Sequence, residues 1–514
     1  MNTLNYIKSM IKPSSDLQDK VIILGDIKLD LLFLKNMSNI DLINNQIVKP
    51  LVNVKNDDEV LNKLKSFDLS KPKNYTIDKK EYSHEVKDFP QEDFPKNSLS
   101  EFIVSNIIFV AESEYTTSKD KLLDDILRGN LVILINGGIE ENIVCSTVKY
   151  QDRSISEPPT SVVINGPRAG FVENLNTNIT LLRRRICNSD LKIEEKRIGR
   201  YTKTRVAICY VSSIVNKKIL NIIKSKLSSI DIDGVIDSEY LVDYLSKDKY
   251  SILKQVGKSE KPDIVVAKML EGRVGILVDG SPICLTLPFM FLEDLQSSDD
   301  YYQKNYRIIF LRYIRLIGSF TAILLPGIYV AMQSFHYKLL PTKFLVSILN
   351  STQGLPLTPF LEVLFVILLF EILYESSIRM PKYMGMALSI VGALILGDTA
   401  VKAGLVSSPS VMLVALSGIT IYITPEEAGQ LSLFRIFFVL LGGTIGIFGI
   451  TLGLLMILIS ACSLDNYGVP YYSPFAPLVE NDLKDTFNKC IQSNMDTRPE
   501  TLNTKNKRRM GNKK

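Results

Sequence analysis

The distribution of apolar residues divides the chain into two parts. Up to about residue 300, short apolar runs alternate with charged stretches, as in a soluble domain. A helix needs about 20 consecutive apolar residues to cross a lipid core, and several later segments approach or exceed this length. They are Ile308–Met332, Phe360–Tyr374, Met384–Leu405, Val411–Ile423 and Ile436–Ala461. The pattern predicts a helical membrane domain behind a large aqueous domain.

The aqueous part contains a repeated pattern. The segment LRGNLVILING at 127–137 and the segment LEGRVGILVDG at 270–280 share Leu-x-Gly and an apolar strand that ends in Asn-Gly or Asp-Gly. Such a dipeptide between two β-rich runs predicts a hairpin, because Gly accepts the positive φ of a tight turn. Helical and strand-like segments precede both copies in the same order. We therefore expect two related α/β subdomains.

These patterns predict an α+β fold joined to a membrane domain, with the following organisation. The parts are an N-terminal α/β subdomain (1–155) with an exposed polar insertion (55–98), a structured connector (156–199), a second α/β subdomain (200–297), a helical membrane domain (298–464) and a C-terminal cytosolic tail (465–514). For the basic end of this tail, 505–514, a solvated, disordered end and a contact with anionic lipid are both possible interpretations.

The connector contains residues that restrict the backbone. Gly166 and Pro167 favour an extended or turned conformation before a helix-like pattern over Phe171–Ile186. Together with Arg168 and Gly170, they are interpreted as folding determinants rather than ligand contacts. The connector is expected to pack against both subdomains.

The charges beside the apolar segments predict their orientation. Arg307, Arg312 and Arg315 precede or begin the first segment, so its N-terminal side and the α/β subdomains should be cytosolic. Val411–Ile423 is short and lies between prolines, which favours a re-entrant or half helix. Four full spans with one re-entrant piece keep the basic tail inside, whereas five spans would place it outside. We expect four to five spans.

The last apolar segment carries four regularly spaced glycines, Gly442, Gly446, Gly449 and Gly453. On one continuous helix they would share a face, and small residues let helix backbones approach closely in lipid. This face could pack against another helix of the same chain or against a second subunit.

Acidic residues at bilayer depth are the candidates for function. Glu362, Glu371 and Glu375 lie on one predicted span, and Asp398 lies on the next. A charge at this depth costs roughly 3 kcal/mol, so it should face a partner, a cavity or an ion path. Glu371 and Glu375 could form an ion pair, with Arg379 or with a neighbouring helix, or they could line a cation pathway. Asp398 could pair locally with Lys402.

Composition narrows the function further. The chain has 60 Lys and Arg against 55 Asp and Glu, and no basic stripe with interleaved aromatics argues for nucleic acid. Its six cysteines are scattered and its two histidines are far apart, so neither metal-ligand spacing nor a catalytic triad can be read. The sequence predicts no enzyme activity, no cofactor and no metal site.

Several segments carry a specific resemblance to a known family. They are EPPTSVVINGPRAGFVENLNTNITLLRRRI (157–186), EKPDIVVAKMLEGRVGILVDGSP (260–282), FEILYESSIRMPKYMG (370–385), SIVGALILGDTAVKAGLVS (389–407) and CSLDNYGVPYYSPFAPL (462–478). From about residue 20 to Leu478, the chain resembles the A subunits of spore germinant receptors, the GerA family. Ser161, Asn165 and Ala169 stand where that family usually has charged residues, so salt bridges of relatives at these positions are not expected here.

The resemblance implies a nutrient-sensing complex in the spore inner membrane, with the N-terminal domain on the core side. It implies a transporter-like B subunit and a lipoprotein C subunit as partners, and a homo-oligomeric ring whose helices form a nutrient-gated cation channel. A membrane-anchored scaffold that assembles subunits without conducting ions is the alternative. A secondary transporter is disfavoured, because only one short broken segment is visible and transporters contain paired ones.

Overall fold

The fold was analysed in a computed structural model that describes residues 2–56, 58–65, 99–138, 141–149, 165–381, 390, 392 and 395–510. Most of the predicted insertion 55–98, the first part of the connector with Ser161, and residues 384–389, 391, 393 and 394 of the predicted span Met384–Leu405 lie outside these residues.

The first subdomain contains a five-stranded antiparallel sheet in the order β1-β2-β4-β5-β3. Strand β4, at the centre of the sheet, is apolar and buried along its whole length, because both faces of the sheet are covered. Leu31 points to a cluster that includes Ile47, and the next residue, Leu32, points to a cluster that includes Ile126. The strands are β1 Leu17–Leu24, β2 Ile27–Leu34, β3 Ser113–Thr116, β4 Leu131–Ile135 and β5 Asn142–Cys145.

Helices lie on both faces of this sheet. The segment after β2 is helical but includes a π-helix, Ile43–Val48, between two short α-helices. The α-helices of this subdomain are α1 Thr3–Ile11, α2 Ile40–Leu42, α3 Lys49–Asn53, α4 Asp58–Lys65, α5 Leu99–Asn106 and α6 Lys119–Arg128.

The second sheet has the same strand order, β6-β7-β9-β10-β8, and is also antiparallel. The two sequence repeats form β4 and β9, and Gly137 and Gly280 adopt the positive φ expected after these strands. The strands are β6 Leu191–Ile198, β7 Thr204–Val211, β8 Gly257–Ser259, β9 Val274–Val278 and β10 Cys284–Leu287, and the helices are α8 Lys217–Ser228, α9 Glu239–Leu245 and α10 Pro262–Glu271. Strand β6 lies within the range 156–199, which the sequence assigned to the connector.

The connector helix α7, Leu175–Arg185, packs on the second sheet and touches the first subdomain. Its apolar face joins a cluster with β7 and β9. The Thr180 hydroxyl donates to the carbonyl oxygen of Asn36, 2.7 Å away. The helix therefore contacts both halves of the aqueous domain.

From Asn305 to Ser463 the described residues are mainly helical. By length and composition, Asn305–Ser334 is the one helix of the described chain that could cross a bilayer, and Ser408–Ile421 with Pro425–Thr444 would count as a second if this pair, bent by 106°, were one span. Four to five spans therefore stay a prediction. The α-helices are α11 Asn305–Ser334, α12 Thr342–Thr352, α13 Pro359–Arg379, α14 Ala400–Lys402, α15 Ser408–Ile421, α16 Ala428–Thr444 and α17 Ile447–Ser463.

The predicted continuous helix over Ile436–Ala461 is wrong. The helix ends at Thr444, and Gly446 has a φ of +75°, so the chain turns there and α17 packs back against α16. A left-handed residue cannot continue an α-helix. The four glycines therefore do not form one helical face.

The end of the chain folds onto the second subdomain. Arg498 Nε donates to the carbonyl oxygen of Leu270 at 2.7 Å, and the amide of Lys505 donates to the carbonyl oxygen of Ile214 at 3.1 Å. The expectation of a disordered end is therefore wrong for residues 505–510, while 511–514 lie outside the described chain.

Candidate functional site

A buried cluster of charges joins the second subdomain to the first long helix. This junction cluster consists of Asp300, Tyr301, Arg312, Arg315 and Asp485. The short 3₁₀ helix Ser298–Tyr301 positions Asp300, and the two arginines lie one turn apart on α11. Residues at i and i+3 share a helix face, so both guanidinium groups reach the same carboxylate.

Asp300 is the centre of the cluster. Its carboxylate accepts from Arg312 Nε at 3.0 Å and from both terminal nitrogens of Arg315 at 2.9 Å. Asp300 and Arg312 are both buried. Removing one partner of a buried ion pair costs about 3–5 kcal/mol. The cluster therefore fixes the start of α11 to the α/β domain.

The C-terminal segment completes the cluster. Asp485 lies 3.0 Å from Arg312 Nη1 and accepts from the Tyr301 hydroxyl at 2.7 Å. Burial raises the pKa of Tyr301 well above its usual range, and the adjacent Asp485 adds to this shift. Burial also raises the pKa of Asp485, although Arg312 opposes this shift. A segment 173 residues away in sequence thus meets the linker and the start of α11 at one site.

A second charged group lies beside the junction cluster. Glu293 pairs with Lys268 at 2.6 Å and with Arg273 Nε at 3.1 Å. Burial alone would raise the pKa of Glu293, but the two cations outweigh burial and hold this pKa below its usual value. Glu293 belongs to the linker between β10 and α11. Its two ion pairs therefore connect this linker to α10 and to the residue before β9.

A third contact reaches the break between α15 and α16. Lys254 lies 2.7 Å from Asp294 and 3.7 Å from Glu426, which belongs to the 3₁₀ helix Pro425–Glu427 at this break. The second subdomain thus contacts the helical region at both α11 and the bend before α16.

The four predicted ion-path carboxylates do not meet in one place. Glu362 is buried and accepts from the amide and hydroxyl of Ser407 at 2.6 and 2.7 Å. Glu371 accepts from Arg435 at 2.6 Å and from the Ser432 hydroxyl, so α13 is bonded to α16. These two carboxylates hold helices of one chain together.

Glu375 and Asp398 have a different environment. Each pairs with a cation one turn later on its own helical segment, Glu375 with Arg379 at 2.7 Å and Asp398 with Lys402 at 2.8 Å. Their side chains are 59% and 54% exposed. The local pair expected for Asp398 is present, and both carboxylates remain accessible.

The glycines lie at two helix–helix contacts within the chain, one between α16 and α11 and one between α17 and α16. A Cβ on Gly442 would lie 2.4 Å from the carbonyl oxygen of Gly327 in α11, and one on Gly453 would lie 2.6 Å from Leu441 in α16. Gly449 likewise lies against Leu441, and Gly446 forms the turn. The glycines therefore permit helix contacts inside one chain.

The connector residues lie beside the linker to α11. Gly166 has a φ of +122°, and a Cβ there would come within 2.7 Å of the Tyr302 ring. Pro167 follows it, Arg168 is exposed, and Gly170 is buried next to Phe171, whose amide donates to Glu260. Glycine is thus required at position 166 both by the positive φ and by the close contact with the Tyr302 ring.

Sequence reasoning missed several residues of these sites. Arg435, the partner of Glu371, stands one residue before the predicted last span, and an isolated Arg beside an apolar run was the available signal. Asp485 lies 173 residues from Arg312 and gave no local signal. In the described part of the chain, no group of three or more His, Cys, Asp or Glu side chains could hold a metal ion.

Comparisons with known proteins agree on one family. Residues 5–501 match the family model described as Bacillus/Clostridium GerA spore germination protein. Spore germination protein KA of Bacillus subtilis (strain 168) is 37% identical over 396 residues, covering 77% of this chain and 73% of that protein. Spore germination protein GerLA of Bacillus cereus is 33% identical, covering 78% of this chain and 82% of that protein.

Two further relatives are similar over much of the chain. The uncharacterized membrane protein YfkQ of Bacillus subtilis (strain 168) is 34% identical, covering 78% of this chain and 79% of that protein. The structure is also similar to a solved one, the crystal structure of the N-terminal domain of the A subunit of the Bacillus megaterium spore germinant receptor GerK3. The match covers 56% of this chain and 94% of that chain, with 23% sequence identity and a TM-score of 0.36.

Proposed function

Because this chain belongs to the GerA family of spore germination proteins, we propose that it is the A-type subunit of a germinant receptor. In this role it transmits a signal between its two α/β subdomains and a helical domain in the spore inner membrane. The observation that carries the proposal is the buried pairing of Asp300 with Arg312 and Arg315, which ties the start of α11 to the aqueous domain.

The membrane placement is supported by the surface of the helices. Bulky apolar side chains are exposed along α13, α15 and α17, and large exposed apolar surfaces mark contacts with lipid or protein. They include Phe365, Leu368, Ile372, Met412, Ile419, Leu455, Met456 and Ile459. We place the α/β subdomains on the core side, because Arg307, Arg312 and Arg315 lie where α11 begins. The chain crosses the membrane several times.

The finer proposal is a cation channel built by several copies of this chain. Rings of carboxylates attract cations, and apolar constrictions can gate by wetting. The accessible carboxylates Glu375 and Asp398 are the candidates for this role, whereas Glu362 and Glu371 stabilise the helical domain. In the complex, the transporter-like B subunit receives the nutrient and the lipoprotein C subunit completes the assembly.

A scaffold without conduction is the second candidate. It is favoured by the pairing of Glu362 with Ser407 and of Glu371 with Arg435 within a single chain. The two functions are separated by reconstituting the complex of A, B and C subunits in potassium-loaded liposomes. Nutrient-triggered potassium efflux supports the channel, and intact complexes that bind nutrient without efflux support the scaffold.

The signalling role is tested in spores that carry Asp300→Asn. We expect an assembled receptor that no longer releases cations after nutrient addition, since the neutral side chain holds the two arginines weakly. Asp496→Asn is the matched control, because Asp496 pairs with Lys484 at the surface. Unchanged release from an assembled Asp300→Asn receptor contradicts the proposed coupling.

A further inference from the structure

In the loop that connects α9 to β8, Ser246–Val256, one buried side chain joins the two ends. Gln255 Oε1 accepts from the amides of Lys247 and Asp248 at 2.9 and 3.1 Å, and its Nε2 donates to the carbonyl oxygen of Asp248 at 2.6 Å. An amide side chain can satisfy several backbone groups at once. The hydrogen bonds of Gln255 therefore fix the two ends of the loop against each other.

This loop lies against the helical domain. Leu253 packs in a cluster with Ala461 near the end of α17 and also joins the cluster of Phe434 and Phe438 in α16. Ile252 and Lys249 line a cleft of about 260 Å³ together with Gln430, in the first turn of α16. The loop thus lies beside the start of α16 and the end of α17.

At its tip the loop presents apolar side chains to the outside. Tyr250 is 97% exposed and Ile252 is 57% exposed. Leu433, about one turn beyond Gln430, and Ile459, near Ala461, are exposed apolar residues on the adjacent helices. Exposed apolar residues thus occur both at the loop tip and on the helix segments that the loop contacts.

We propose that Tyr250 and Ile252 insert into the headgroup region of the lipid bilayer and set the depth of the aqueous domain against the membrane. This inference rests on the membrane placement proposed above. Tyrosine is enriched at membrane interfaces, because its ring is apolar and its hydroxyl stays in contact with water. Lys249 lies next to Tyr250 at the tip, and a lysine near an anionic leaflet is attracted to its headgroups. Lys247, on the other side of the tip, pairs with Asp465 at 3.1 Å.

The chain contains no tryptophan, so a single substitution gives an unambiguous fluorescence signal. The test uses the full chain in liposomes, which add no other protein, with three variants. Tyr250→Trp reports the loop, Leu455→Trp reports the exposed face of α17, and Tyr201→Trp reports an 83% exposed position at the turn between β6 and β7. Each is compared in normal lipid and in lipid brominated near the top of the acyl chains.

For Tyr250→Trp we expect blue-shifted emission and marked quenching by the brominated lipid, and for Tyr201→Trp we expect neither. Adding Lys249→Glu to Tyr250→Trp should reduce the quenching more in anionic than in zwitterionic lipid.

If Leu455→Trp is quenched but Tyr250→Trp behaves like Tyr201→Trp, the loop contact is refuted and the membrane placement stands. If Leu455→Trp is not quenched, the membrane placement itself fails. Blue-shifted emission of Tyr250→Trp without quenching would show a protein surface, such as a second copy, over the loop and would also overturn the inference.

Discussion

Arg183 and Asp16 form a bidentate ion pair, with Nε–Oδ2 and Nη2–Oδ1 distances of 3.0 Å. Both side chains are 1% exposed. Arg183 also donates to the carbonyl oxygen of Leu191, at the first residue of β6, and to Ser14. The connector helix is thereby bonded to the residue before β1 and to the first residue of β6, and together with the bond from Thr180 to Asn36 this pair holds the two subdomains in one arrangement.

Arg183→Ala should lower the free energy of unfolding by about 3–5 kcal/mol, because it leaves the Asp16 carboxylate buried without its partner. Urea denaturation of the purified chain in detergent measures this loss. The neighbouring Arg184 is exposed, so Arg184→Ala should change the same free energy by no more than about 0.5 kcal/mol. Equal losses in the two variants would contradict a special role for Arg183.

Gly166→Ala should destabilise the protein by more than about 2 kcal/mol, because a positive φ and a steric contact act together. The added methyl group would meet the Tyr302 ring. Gly354 supplies the control, since it has a φ of +83° but no neighbouring atom within 4 Å of the position that a Cβ would take. Gly354→Ala should therefore cost only the conformational part, about 1–2 kcal/mol.

The steric part can be separated by a double variant. In a Tyr302→Ala background, Gly166→Ala should cost nearly as little as Gly354→Ala, as measured by thermal unfolding in detergent. If Gly166→Ala destabilises the Tyr302→Ala protein as much as it destabilises the wild type, the whole cost comes from the backbone conformation and none from the contact with the Tyr302 ring.

The sequence predicted the buried strands and the helices better than the edge strands and the ion pairs between distant residues. Strands β4 and β9 were visible because each is a purely apolar run that ends in Asn-Gly or Asp-Gly. The edge strand β6, LKIEEKRI, was missed, since its middle is charged and only half-buried, and charged side chains are common on edge strands. The pairing of Arg183 with Asp16 could not be foreseen, because the two residues are 167 positions apart and neither pattern points to the other.

The helical domain shows the same limit. The resemblance to the GerA family identified the protein class, but spacing alone placed Gly446 in a continuous helix. A period of four residues predicts a shared face only if the helix persists, and the positive φ of Gly446 shows that it does not.

Stability should depend on pH through Glu293. Its pKa is lowered in the folded protein, so it contributes stability above the ordinary glutamate value of 4.5 and loses it as the pH falls through the folded value. Melting temperatures of the wild type and Glu293→Gln should therefore differ at neutral pH and converge as the pH falls below 4.5 and through the lowered pKa of the folded state. A difference that persists unchanged in acid would exclude the ion pairs with Arg273 and Lys268 as its source.

The pair Glu371–Arg435 decides between a structural and a conducting role for the carboxylates of α13. Glu371→Gln should lower the free energy of unfolding by about 2 kcal/mol, because the Arg435 side chain, which is 3% exposed, loses its charge partner. Adding Arg435→Met should restore much of the loss, since an apolar group of similar volume often replaces a buried ion pair without cost. Glu375→Gln should leave stability unchanged, because its pair with Arg379 is exposed, and should reduce cation flux in reconstituted liposomes. If instead Glu371→Gln is as stable as the wild type but conducts less, Glu371 belongs to the ion path, and the structural role proposed for its pair with Arg435 must be abandoned.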